Sequence, residues 1–172
     1  MSLIGKRILV PVDLEQDSFD GIKFVASLAG ERSVCATLLH VVNLNITAPD
    51  RRVYEDLRRE KQQRLQALAK LFFNGSMPEE RVRFGKPHEE ILAEAEASQA
   101  EMIVMGSPKS ARKKWRFRPT TLERVIRAAP CLILALPRVW KITPEAYRQA
   151  MRPRFDPGAV ILTRMPSEGW SS

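Results

Sequence analysis

The residues best suited to chemistry lie in a basic segment between an apolar run and a helix start. The apolar run ends at Gly106, and the helix start follows at Thr120. Six cations and no acid lie between them: Lys109, Arg112, Lys113, Lys114, Arg116 and Arg118. A turn between a strand and a helix binds phosphate through glycine, because glycine lets backbone N–H groups approach the anion. This loop has no glycine after Gly106, so it is a nucleotide site, an altered nucleotide site or a site for another anion.

The charge of the whole chain is dominated by this 109–118 loop. The net charge is +8 over 172 residues, and the loop contributes six positive charges. Such an excess favours nucleotide phosphates, nucleic acid or an acidic protein as partner, although a solvated basic surface accounts for the charge alone. Trp115 and Phe117 could stack on bases. Because no nucleic-acid-binding motif accompanies them, we expect them to pack on the adjacent helix.

Few residues outside the loop suggest chemistry. Asp13 follows an apolar run, where it either contacts a ligand or caps its own loop. His40 lies within an apolar run and is expected to be a hydrogen-bonded core histidine, since no motif places Ser, Cys or an acid beside it. No spacing of His, Cys and Asp resembles a metal site. Nothing supplies a nucleophile, a base and an oxyanion site together, so we do not expect an enzyme.

Length and composition favour one soluble globular domain. The chain is 44% hydrophobic and 28% charged, which is ordinary for a protein that buries a sizeable core. No apolar run approaches the ~20 residues of a membrane span, and no signal peptide is visible. We therefore expect a cytoplasmic location without membrane contact. Cys35 and Cys131 lie inside apolar runs and are expected to be buried, reduced thiols.

Five apolar strands alternating with amphipathic helices are predicted to position these residues. The strands are expected at 8–12, 34–42, 81–84, 102–105 and 131–136. One long helix is expected at 50–73. Its apolar stripe is Val53, Leu57, Leu65, Leu68 and Phe72. This pattern indicates a doubly wound α/β fold with a parallel sheet, whose ligand crevice lies at the carboxyl ends of the strands and brings Asp13 near Gly106.

The end of the chain differs from the rest. Residues 1–137 are expected to form the domain, and 138–172 a basic, proline-rich C-terminal extension. The strand at Cys131–Leu136 is apolar and would lie at a sheet edge, so a homodimer that pairs this strand is expected. The competing outcome is that Ala159–Thr163 (AVILT) forms an extra strand over that edge.

Several segments resemble the universal stress protein family, in that family's order and spacing. They read ILVPVDLEQDSFDGIKFVASLA, LLHVV, FGKPHEEILAEAE, EMIVMGS and TLERVIRAAPCLILALP. The resemblance covers about residues 4–137. It implies a Rossmann-like, doubly wound sheet of five strands in the order 3-2-1-4-5, of the adenine nucleotide alpha hydrolase type. It also implies a protein that is usually dimeric, with no established catalytic chemistry in most members.

ATP-binding members of that family carry Gly-x2-Gly-x9-Gly-[Ser/Thr] after the fourth strand. Here Gly106 and Thr120 match, whereas Lys109 and Pro119 replace the second and third glycines. Lysine fills the space that glycine leaves, and proline removes an N–H donor, so we expect weak or no binding of ATP in the family's usual pose. The resemblance also makes Asp13 a nucleotide or metal-bridging contact. The candidate nucleotide contacts are Val12, Asp13, Val41, Met105, Gly106, Lys109, Pro119, Thr120 and Thr121.

The sequence supports three candidate functions, which we rank from the best supported to the least. The first is a regulatory domain of the universal stress type with an altered nucleotide loop, acting by dimerisation or partner binding. The second is a binder of ATP or AMP that uses Lys109 and the loop arginines to hold phosphate. The third is a nucleic-acid or polyanion module. Its contacts would be Arg112, Lys113, Lys114, Trp115, Arg116 and Arg118.

Overall fold

The computed structural model describes residues 5–14, 19–29, 34–43, 50–74, 77–106 and 119–136, with a short strand at 160–162. The strands are β1 (Arg7–Pro11), β2 (Cys35–Val42), β3 (Glu79–Phe84), β4 (Met102–Gly106), β5 (Leu132–Leu136) and β6 (Val160–Leu162). The helices are α1 (Asp20–Ala29), α2 (Arg51–Phe72), α3 (Pro87–Ala97) and α4 (Thr121–Ala128). Strands and helices alternate up to β5, as the apolar runs predict. None of these helices is long and apolar enough to cross a membrane.

The strands form one sheet in the order β3-β2-β1-β4-β5-β6. The first five are mutually parallel, which confirms the predicted doubly wound order 3-2-1-4-5. β6 lies antiparallel to β5, with Leu134 opposite Ile161. The expectation that β5 is an open sheet edge is therefore wrong, because the backbone of β6 pairs there. The competing prediction, an extra strand near 159–163, describes this edge correctly.

Two hydrophobic layers cover the two faces of the sheet. Successive residues of β1 alternate between them, so that Val10 points to one layer and Leu9 to the other. α1 and α2 cover the first layer, and α3 and α4 cover the second. Because both faces are buried, the central strands need apolar residues at every position. Each fully buried aliphatic side chain contributes about 1.5–3 kcal/mol to this core.

The outer edge of the sheet at β3 is charged. Its sequence EERVRF leaves Glu79 and Arg81 exposed, and charged side chains at an edge discourage pairing with another strand. On the covered face, Nε of Arg83 lies 2.8 Å from Oε2 of Glu94 in α3, whose side chain is 9% exposed. This ion pair joins α3 to β3.

Three residues that were predicted to be buried are more exposed than expected. Cys35 is the first residue of β2, at the rim of the sheet, and is exposed. Cys131 precedes β5 and is half-buried, and this burial raises the pKa of its thiol. Val53 is 49% exposed because it lies in the first turn of α2, whereas Leu65 farther along is fully buried.

Candidate functional site

A cleft of about 540 Å³ opens at the carboxyl ends of β1, β2 and β4. Its walls come from α2 and from the first turns of α3 and α4. The lining residues are Pro11, Val12, Asp13, Leu39, His40, Val41, Val42, Asn43, Leu57, Lys61, Pro87, Ile91, Met105, Gly106, Thr120, Thr121 and Leu122. The chain leaves β1 toward β2 on one side, and β4 neighbours β1 on the other. The cleft therefore lies at the point where the winding reverses, the usual ligand position in this fold class.

The structure brings most of the predicted nucleotide contacts to this cleft. Those that line it are Val12, Asp13, Val41, Met105, Gly106, Thr120 and Thr121. Pro119 is described but is not among the lining residues. Lys109, Arg112, Lys113, Lys114, Trp115, Arg116 and Arg118 lie outside the described residues. The altered loop and its anionic partner therefore stay predictions.

His40 fixes the geometry where β1 and β2 end. It is 5% exposed, and its Nδ1 donates a hydrogen bond to the carbonyl oxygen of Val12 at 2.8 Å. The amide of Val12 in turn donates to the carbonyl oxygen of Leu39 at 2.7 Å. These bonds hold the segment that carries Asp13 against β2. The prediction of a hydrogen-bonded core histidine is confirmed, and the structure adds that His40 is one of the residues that line the cleft.

Gly106 leaves open space at the end of β4. Among the described residues, apart from its chain neighbours, none has an atom within 4 Å of a Cβ built at Gly106, and the φ of Gly106 is not positive. The backbone conformation would therefore accept other residues. What glycine provides here is room for a ligand to approach the main chain.

The first turn of α4 is capped by its own residues. The amide of Thr120 donates to Oε2 of Glu123 at 2.6 Å, and its hydroxyl donates to the same oxygen at 3.1 Å. Glu123 returns a hydrogen bond from its amide to Thr120 Oγ1 at 3.2 Å. These bonds confirm the predicted capping box. The bond from the Thr120 amide, and then that from its hydroxyl, hold the pKa of Glu123 below its usual value. A carboxylate thus already lies against the Thr120 hydroxyl that was predicted to meet phosphate.

α2 supplies a cation that the sequence analysis did not single out. Lys61 lines the cleft one turn after Leu57 and one turn before Leu65. Its side chain is only 12% exposed, and its ammonium donates to Oε1 of Glu60 at 3.3 Å. The available signal was the interruption of the apolar stripe, because Lys61 stands where helical spacing calls for an apolar residue. Among the described residues that line the cleft, Asp13 is the other charged one.

Within the described ranges, no group of three or more His, Cys, Asp or Glu side chains is placed to hold a metal ion. Among the described residues, those that line the cleft offer a ligand apolar side chains, the polar residues Asn43, Thr120 and Thr121, and two charged residues, Asp13 and Lys61. Carboxylates accept hydrogen bonds from amino and hydroxyl groups, and ammonium groups bind phosphate. The fold and the cleft together define a doubly wound α/β domain with a Rossmann-like architecture.

The sequence profile of the universal stress protein family matches residues 5–137. The chain therefore belongs to the universal stress protein family. Among curated proteins, none gives a significant match.

Solved structures share this fold at low sequence identity. The universal stress protein UspA from Lactobacillus plantarum is 20% identical, with a TM-score of 0.57, and the match covers 79% of this chain and 99% of that one. A universal stress protein from Archaeoglobus fulgidus, solved in complex with dAMP, is 22% identical, with a TM-score of 0.53 and coverage of 77% and 98%. A universal stress protein in complex with cAMP is 17% identical, with a TM-score of 0.56 and coverage of 77% and 96%.

Proposed function

We propose that this chain is a non-catalytic regulatory domain whose cleft binds an adenine mononucleotide, and that it acts through dimerisation or a partner protein. The observation that carries the proposal is the cleft at the switch point. There Asp13 and the open backbone of Gly106 lie at the ends of neighbouring strands. The cytoplasm is the location that we predict for it.

The cleft suits a nucleoside monophosphate. Val12, Val41 and Met105 offer apolar contacts to a base, and Asp13 offers a carboxylate that can accept from an amino group or a ribose hydroxyl. The ligands of two similar structures, dAMP and cAMP, each carry a single phosphate.

ATP is a poorer candidate for this chain. The second and third glycines of the family's phosphate loop are Lys109 and Pro119 here. A linear triphosphate also needs several donors at the start of α4, where the Glu123 carboxylate already accepts from Thr120. An added phosphate would meet like charge at that place, which is unfavourable.

Isothermal titration and thermal unfolding with AMP, cAMP and ATP-Mg test the proposal. AMP is expected to stabilise the protein by up to ~2.7 kcal/mol at a hundredfold excess over its dissociation constant. ATP-Mg is expected to stabilise it less. Asp13→Asn should weaken AMP at least about tenfold, a loss of ~1.4 kcal/mol.

Asp56→Asn is the matched control for this experiment. Asp56 is an exposed acid on α2, outside the cleft, so this change should leave AMP binding unaltered. If no adenine mononucleotide binds the wild-type protein, or if both variants bind as the wild type does, the proposal is overturned.

A further inference from the structure

The edge of the sheet at β3 turns two backbone carbonyl groups outward. β3 is the last strand at its end of the described sheet. Directly after β3, the amide of Gly85 donates to the carbonyl oxygen of Val42 in β2 at 3.1 Å. Alternate residues of a parallel strand turn their backbone groups to the same neighbour, so Gly85 and every second residue before it face β2. The carbonyls of Glu80 and Val82 therefore point away from β2, where a strand of another molecule could pair with them.

Two side chains of α2 reach these outward carbonyls. Nη1 of Arg58 donates to the carbonyl oxygen of Val82 at 3.3 Å, and Nε2 of Gln62 donates to that of Glu80 at 3.5 Å. The spacing suits both elements, because residues four apart on a helix rise about 6 Å and alternate residues of a strand about 6.6 Å. α2 therefore places its donors in register with the edge, at the positions where an added strand would donate.

An aromatic contact continues this register at the end of β3. Phe84 is the next outward-facing residue of β3, and Tyr54 lies four residues before Arg58 in α2. The two rings meet edge-on, with centroids 5.0 Å apart and an interplanar angle of 82°. The Arg58 guanidinium also lies over the Phe84 ring, 5.1 Å from its centroid. Because a cation is attracted to the face of an aromatic ring, this contact holds the guanidinium at the edge.

We propose that Arg58 and Gln62 close the β3 edge against a second copy of this chain. A strand that paired there would have to donate its N–H groups to the carbonyls of Glu80 and Val82, and these two side chains occupy that space. The closure consists of side chains alone, so substitutions can open it without removing a backbone hydrogen bond of the sheet. Neither side chain is among the described residues that line the cleft, so the closure acts whether or not a nucleotide binds there.

Arg58→Ala/Gln62→Ala tests the closure, because it removes both side-chain donors and leaves the backbone of β3 in place. The association constant measured by light scattering is expected to rise at least about tenfold over that of the wild type. Arg59→Ala/Gln63→Ala is the matched control, since it removes the same two residue types from neighbouring, exposed positions of α2. Arg59 pairs with Asp56 on its own helix, so the control should associate as the wild type does.

Glu80→Pro shows whether the copies meet at this edge. The N–H of Glu80 points away from β2, and proline is tolerated at such an edge position because it removes no hydrogen bond of the sheet. Combined with Arg58→Ala/Gln62→Ala, it removes a donor that pairing with a second copy needs. Association should then return to the wild-type level.

Urea unfolding first establishes that each variant is folded. If Arg58→Ala/Gln62→Ala does not fold, Gln62→Ala alone replaces it, because that variant keeps the contact of Arg58 with Phe84, and a smaller rise in association is expected. Three results would each overturn the proposal: unchanged association of the folded variant, an equal rise in the matched control, or a rise that the added proline leaves in place.

Discussion

The Nδ1 atom of His40 lies 2.8 Å from the carbonyl oxygen of Val12, and this bond joins β2 to the segment that enters the cleft. Both residues are buried, so the carbonyl has little access to water. The hydrogen bond of His40 therefore holds this segment in position at the cleft.

Removing the hydrogen bond between His40 and Val12 should destabilise the fold. In His40→Leu, an apolar side chain of similar size replaces the imidazole. The buried Val12 carbonyl then lacks this donor, which costs about 1–3 kcal/mol. His40→Asn retains an N–H near the position of Nδ1 and should lose less of the hydrogen-bond energy, although it leaves a small cavity. Urea unfolding of the three proteins measures the difference. Equal stability of His40→Leu and the wild type would contradict the assignment.

Gly106→Ala should change ligand binding without harming the fold. The new Cβ meets no atom within 4 Å among the described residues beyond its chain neighbours, and the φ of Gly106 is not positive, so stability should change by less than about 1 kcal/mol. The same Cβ takes space beside the ligand, so AMP affinity should fall.

Gly85→Ala is the contrasting control for Gly106→Ala. At Gly85 φ is +149°, and a Cβ would lie 2.7 Å from Oε1 of Glu90. This change should cost about 1–3 kcal/mol of stability. Thermal unfolding measures the stability of both variants, and AMP titration measures their affinity for the ligand. A Gly106→Ala protein that binds AMP as tightly as the wild type would count against the cleft.

The α4 cap makes stability depend on acidity. Because hydrogen bonds from Thr120 hold the pKa of Glu123 below its ordinary value of 4.5, the carboxylate favours the folded state above that pH. This contribution is lost as the pH falls through the folded-state pKa. Glu123→Gln should therefore lower the melting temperature at pH 7 and leave a flatter profile below pH 4.5. Glu55→Gln, on the exposed surface of α2, is the control, and an identical pH profile for both variants would refute the role of the cap.

The fold was more predictable than the site, for a physical reason. Strand order and layers follow from apolar periodicity, and runs such as Ile8–Val12 carry that signal locally. The positions of Asp13 and Gly106 were also predictable, since Asp13 follows β1, Gly106 ends β4, and both strands end at the same edge of the sheet. The place of Lys61 in the cleft was not predictable, because Lys61 lines the cleft only once α2 has packed beside β2. The pairing of β6 with β5 is equally a matter of tertiary contact across more than twenty intervening residues.

Removing the strand that covers β5 should promote self-association. β6 pairs with β5 from Ile133 to Ala135, so a homodimer through Cys131–Leu136 needs β6 to leave. The homodimer stays a prediction, and it is now conditional on this displacement. A chain that ends at Leu136 would expose the unpaired backbone of an apolar strand, which is a template for a second copy. Two copies that pair this strand form a closed, two-fold contact.

Light scattering over a range of protein concentrations compares this truncated chain with the full one. Ile161→Pro is the matched variant, because it keeps the full length and removes one backbone donor from β6, opposite Leu134. We expect a higher association constant for the truncated chain, and a smaller shift in the same direction for Ile161→Pro. If the truncated and full chains show the same oligomeric state at every concentration, β6 does not control this edge. If the full chain is already a dimer that truncation leaves unchanged, the two subunits meet at another surface.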